Sequence, residues 1–172
     1  MFGFSKKEPK IPGWDKDQKG NWVFTITEEE QVYVKSAFSQ FEGFVAEKEV
    51  AEVLQNELRS SGLSNYAANL VLFNEDKKES KERTQNLEKA LSALYKALSF
   101  SQSPMAYFTI AQIYEALNKK NLAKQTYKDF LDKCEEPERK NAPDIIRIFL
   151  KHVHANIPDC IQIAEQKVKE LA

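Results

Sequence analysis

A chain of 172 residues is about one domain by length and can bury a core without disulfide or metal staples. Hydrophobic residues make up 42% and charged residues 30%, with only 5 Gly and 6 Pro, which disfavours a turn-dense β fold and fits an all-α one. The 25 basic and 26 acidic side chains nearly cancel, so the net attraction on which non-specific binding to nucleic acid or an acidic membrane relies is missing, and neither is expected as a partner.

Cys134 and Cys160 lie far apart and form no Cys-x-x-Cys pair. Neither a disulfide framework nor a thioredoxin-like motif is expected, and both read as free thiols. The opening MFGFSKKEPK has too few apolar residues before its lysines for a signal segment, and no later run approaches the roughly 18 apolar residues of a membrane span. Gly3 does not directly follow Met1, so the myristoylation pattern also fails. These features predict a cytoplasmic protein with no membrane span.

Residues 1–26 hold Gly3, Gly13, Gly20, Pro9, Pro12 and both tryptophans, a composition that opposes helix. Within them NWVFTI sets Trp22, Phe24 and Ile26 in alternation with Val23 and Thr25, the period of a short strand or extended segment. An N-terminal arm packed through Trp14, Trp22 or Phe24 is expected. Thr27 and Glu30 form a T-x-x-E capping box, and Val32, Ala37, Phe38 and Phe41 follow at helical spacing. A second helix carries Val50, Val53, Leu54 and Leu58 on one stripe and is expected to stop at Ser60, Ser61 and Gly62. SNYAANLVLFNE gives a short third helix, and the charged DKKESKER a solvated link. From Lys81 to about Phe100, the residues Leu87, Ala90, Leu91, Leu94, Ala97 and Leu98 predict a long helix. Pro104 suits the first turn of the next one, while Pro143 and Pro158 punctuate two final helices, DIIRIFLKHVHAN and DCIQIAEQKVKEL. The count is eight helices in antiparallel pairs.

The stretch AYFTIAQIYEALNKKNLAKQTYKDFL predicts two amphipathic helices joined at Asn118. Tyr107, Ile110, Ala111 and Tyr114 lie on the first, and Ala123, Tyr127 and Phe130 on the second. This spacing resembles the tetratricopeptide repeat, in which small residues at the positions of Ala111 and Ala123 let paired helices approach and aromatic residues glue the hairpin. Asn118 stands where that family usually has Gly, and Phe130 where it has a small residue. The resemblance covers residues 87–136, with the clear hairpin at 104–136. It implies a TPR-like bundle or short superhelix of stacked antiparallel hairpins, with residues 27–172 as one helical domain behind the arm at 1–26.

On the other face of the first hairpin helix, Met105, Phe108, Gln112 and Glu115 recur at spacings of three and four. The resemblance makes this stripe the lining of a concave, partner-binding groove. Phe108 has two readings, groove anchor or packing between helices. The stripe lacks the basic and amide set of a terminal-carboxylate clamp, so an extended peptide or helix with apolar anchors suits it better.

DKDQKG copies the start of a calcium loop through Asp15, Asp17 and Gly20. Lys19 replaces one ligand, however, and Ile26 falls at the bidentate glutamate position, so a polar turn is the better reading. His152 and His154 are two apart on a predicted helix and face different ways, which opposes a metal site with Asp159 and Cys160. No Gly-rich phosphate loop, nucleophile elbow or His-Glu-x-x-His occurs. The expectation is therefore a non-enzymatic protein-interaction module without cofactor or metal: an adaptor, co-chaperone or assembly factor whose partner is another protein or peptide. The alternative is a structural subunit that uses the same apolar face as a permanent homo-oligomer interface.

Overall fold

Gly13 opens a small β-hairpin ahead of the helices. Strand β1 (Trp14–Lys16) pairs antiparallel with β2 (Trp22–Phe24), Trp14 opposite Phe24 and Lys16 opposite Trp22. The computed structural model describes residues 13–42, 48–72, 80–135 and 157–171. Asp17 builds the turn: its Oδ1 accepts from the amides of Lys19 and Asn21, and Gly20 takes φ +80°, a left-handed conformation that glycine adopts without strain. The alternation of NWVFTI is thus a strand. The strand spans only Trp22–Phe24 of that run, and its partner has the same three-residue length.

Six helices follow among the described residues: α1 (Glu28–Ser39), α2 (Lys48–Leu72), α3 (Lys81–Phe100), α4 (Pro104–Ala116), α5 (Lys120–Glu135) and α6 (Ile157–Glu170). Helix makes up 79% of those residues, so the fold is all-α with a non-helical N-terminal arm. The predicted helix DIIRIFLKHVHAN lies outside the described residues.

Helix α1 begins as its sequence dictates. The Thr27 hydroxyl accepts from the Glu30 amide at 3.3 Å, and the Glu30 carboxylate accepts from the Thr27 amide at 2.8 Å, the reciprocal capping box. Pro104 fills the first turn of α4, where its missing N–H costs nothing. Helix α4 ends in a Schellman motif: Asn118 takes φ 57° and donates to Glu115 O, and Lys119 donates to Tyr114 O, both at 2.8 Å. Asn serves here in place of Gly.

Two expectations are corrected. Gly62 does not end a helix; α2 runs through it as one 25-residue rod. A Cβ at position 62 would lie 2.6 Å from Val34 Cα and 2.9 Å from Tyr33 O, so this glycine lets the backbones of α1 and α2 meet. Val32 and Val53 do not belong to buried stripes, being 65% and 45% exposed. Helix α1 instead buries Glu30, Val34 and Ala37, a stripe that passes through a charged residue and so cannot be traced by apolar spacing alone.

The helices stack in a repeating way. Helix α2 pairs with α3 and α4 with α5; α4 rests on both α2 and α3, and α6 on both α4 and α5, while α1 lies against α2. One apolar cluster joins Tyr66 and Ala67 of α2, Leu87, Ala90, Leu94 and Leu98 of α3, Ile110 and Ile113 of α4, and Ala123 of α5. A second joins Phe108 and Ala111 to Tyr127, Phe130, Cys160 and Ala164. Ala111 and Ala123 are both fully buried, but they serve different clusters.

The N-terminal end adds a buried ion pair. Lys96 of α3, with no exposed side-chain surface, donates to both carboxylate oxygens of Glu30 at 2.8 and 2.7 Å. Pairing in two hydrogen bonds, with a third from the Thr27 amide, is what makes burial of both charges tolerable. The hairpin docks beside this pair. Trp14 is 4% exposed and its Nε1 donates to Ser92 O at 3.3 Å, while Phe24 meets Phe100 edge-on at 5.8 Å.

Candidate functional site

The α4 stripe is not an open groove floor. Phe108 is 4% exposed and stands edge-on to Tyr127 at 5.7 Å and to Phe130 at 5.2 Å. Cys160 and Ala164 of α6 belong to the same cluster, and Met105 packs half-buried against it. Of the two readings of Phe108, packing is therefore the one observed. Its cause is α6, which closes a face that the α4–α5 hairpin alone would leave bare. Phe130, the large residue at a position where the resembled repeat has a small one, fills the space beside Phe108.

Glu115 is half-buried and ties three helices. Its Oε2 accepts from the Tyr127 hydroxyl at 2.6 Å and its Oε1 from Lys167 Nζ at 2.8 Å. The Lys167 ammonium is held above its ordinary range chiefly by that hydrogen bond. Burial, followed by the bond to Glu115, pushes the Tyr127 hydroxyl up. With about a third of the Lys167 side chain exposed, the ion pair contributes at most about 1 kcal/mol. Its main effect is to fix the register of α6. Gln112 alone of the four stripe residues is exposed.

Asp17 spends its carboxylate on the hairpin turn, and the Asn21 amide N–H bonded to it holds it below the usual carboxylate range; Asp15 accepts from the Lys16 amide. His152 and His154 lie outside the described residues. Burial raises the Cys160 thiol, with neighbouring Asp159 adding to the shift, as expected of an inert thiol. Among the described residues no three His, Cys, Asp or Glu side chains come together as metal ligands, and no helix is long and apolar enough to cross a membrane.

A shallow depression opens at the start of α1, lined by Thr27, Glu28, Glu29, Glu30, Tyr66 and Lys89. Glu29 accepts from the Tyr66 hydroxyl at 2.6 Å and lies 3.4 Å from Lys89 Nζ. The Tyr66 bond, followed by the Lys89 charge, holds its carboxyl low. Glu29 and Glu30 of this wall are thus occupied with binding α1 to α2 and α3. No protein-family model, curated protein or solved structure matches the chain.

What stays exposed is apolar in places: Val53 and Leu72 on α2, Ile163 on α6, Leu122 on α5, Val32 on α1 and Val23 on β2. The sequence reading missed Leu72, Leu122 and Ile163 as surface residues, because an apolar side chain within a helical period reads as core. It also missed the Glu30–Lys96 pair. The available signal was Lys96 sitting between Ala93 and Ala97, within the α3 stripe.

Proposed function

We propose that the chain is a protein-interaction module that holds a peptide or helix of another protein across its stacked helices. The observation that carries this reading is the repeating arrangement, in which α4 rests on the α2–α3 pair and α6 on the α4–α5 pair. Stacked helical pairs of this kind present an extended side made of successive first helices. The tetratricopeptide-like spacing of Tyr107, Ala111, Tyr114, Ala123 and Tyr127 supports it, as does the Asn118 turn. The anchor positions differ from the α4 stripe. Gln112 remains a polar contact, and the exposed apolar side chains of the first helices, Val53 and Leu72 on α2 and Ile163 on α6, supply the anchors.

The test is affinity capture from the native cell with wild-type chain and a Leu72→Asp/Ile163→Asp variant as paired baits. The expected outcome is a partner retained by the first and lost by the second, with equal helical dichroism. A partner retained by both baits would remove these residues from the interface. The second reading, a permanent oligomer, draws on the same exposed apolar residues. Light scattering separates it: a wild-type dimer made monomeric by the double substitution establishes a self-interface.

A further inference from the structure

The hairpin at residues 13–26 is held by what it docks onto. Its strands have three residues each, too few for an isolated hairpin to persist in water. Among the described residues, three contacts help to seat it. The Trp14 indole enters beside α3 and donates to Ser92 O. Phe24 lies 4.9 Å from the Trp14 ring and reaches Phe100. The Gly13 backbone lies so close to Lys96 that a Cβ at position 13 would collide with the ammonium and stand 2.9 Å from Thr25 O, and Gly13 itself takes φ +76°.

The floor thus offers a carbonyl acceptor for a ring N–H, an aromatic edge, and a charged pair over which only a glycine fits. These are the features of a site for a segment containing Gly-Trp with its glycine in the left-handed conformation. The charges beneath favour release. With the hairpin seated, the Lys96 side chain has no exposed surface and the Gly13 backbone lies over its ammonium; lifting Gly13 opens that ammonium to water, which lowers the cost of the open form relative to opening an apolar core.

We propose that this floor is a second binding site, for a Gly-Trp segment of a partner protein, which the chain's own hairpin fills in cis. The hairpin then acts as a built-in competitor, and a partner segment binds by displacing it. The proposal rests on the interaction reading for the existence of a partner, but its test does not. The experiment uses a fluorescently labelled peptide of residues 13–26 as ligand, so a failure concerns this floor alone and leaves the capture result standing.

Full-length wild-type chain and full-length Trp14→Ala are titrated with the peptide by anisotropy. The expected result is binding at least tenfold tighter to Trp14→Ala, whose helical dichroism is retained, and at least tenfold weaker when the peptide carries Gly13→Ala. Equal binding to both chains, indifference to the Gly13→Ala change, or loss of helix in Trp14→Ala would overturn the proposal. Hydrogen exchange on the wild type gives an independent check. The Trp14 indole N–H and the Thr25 amide should exchange at least a hundredfold faster than the central amides of α3. Exchange of both only with the α3 amides would show that the hairpin leaves only when the chain unfolds, which likewise overturns the displacement mechanism.

Discussion

At the C-terminal end of the stack, α4, α5 and α6 meet through rings and small side chains, Phe108 against Tyr127 and Phe130 with Cys160 and Ala164 alongside. At the N-terminal end, α1 meets α3 through the Glu30–Lys96 ion pair, with Trp14 laid beside it. Burial of apolar area is non-directional, and each ring or methyl at the C-terminal end contributes on its own. A buried ion pair is all or nothing: intact, it roughly balances its desolvation cost, and with one partner gone it leaves an orphaned charge. The two ends should therefore fail differently.

The largest expected effect tests that difference directly. Lys96→Met should cost about 3 to 5 kcal/mol by stranding Glu30, and Phe108→Ala about 3 to 5 kcal/mol through lost transfer energy and a cavity. Urea melts of double variants then separate the two ends. Adding Glu30→Gln to Lys96→Met should recover most of the loss, whereas adding Phe130→Ala to Phe108→Ala should deepen it. Recovery at both ends, or at neither, would erase the contrast.

Overpacking comes next. Gly62→Ala and Ala111→Leu should each cost on the order of 1 to 3 kcal/mol. Gly62→Ala should be the more severe for its size, because its new methyl meets the Val34 backbone at 2.6 Å, while the larger side chain at position 111 would press on side chains that can turn. Thermal melts that rank them the other way would mean that α1 can slide away from α2.

A smaller effect should appear at alkaline pH, at the N-terminal end through Tyr66, whose hydroxyl is pushed up by burial and then by its bond to Glu29, and at the C-terminal end through two groups. The Tyr127 hydroxyl and Lys167 ammonium both titrate higher in the folded chain than unfolded. Their contributions are complete below the unfolded values, about 10 for Tyr and about 10.4 for Lys, and are lost as pH rises past them towards the folded values, because the unfolded chain releases its protons first. Denaturation midpoints measured from about pH 8 to 11 should fall above about pH 10, and fall less in Tyr127→Phe. An unchanged slope in that variant would detach Tyr127 from the effect. The smallest changes are expected at the surface: Val32→Ser near one end and Ile163→Ser near the other should each shift stability by no more than about 0.5 kcal/mol, and a larger loss in a melt would show the side chain to be buried in solution.

Where local chemistry decides, the sequence was readable. The capping box at Thr27, the span of α3 from Lys81 to Phe100, Pro104 at the start of α4 and the left-handed turn at Asn118 each follow from a few adjacent residues. Where a distant partner decides, it was not. A glycine marks either a helix end or a close approach, and only Val34 of another helix tells which applies to Gly62. Phe108 reads as anchor or core according to whether α6 covers it, which no spacing within α4 reveals. Glu30 broke the α1 stripe because its partner lies 66 residues away.

The Trp14 contact has a consequence for the order in which the molecule is made. Helices α4 and α5 pair across a short turn and can close as soon as both have left the ribosome. Trp14, by contrast, must wait for an acceptor 78 residues later in the chain. At synthesis rates of roughly 5 to 20 residues per second that is about 4 to 16 s, during which the aromatic hairpin segment has no site of its own to enter and is open to whatever binds nascent chains.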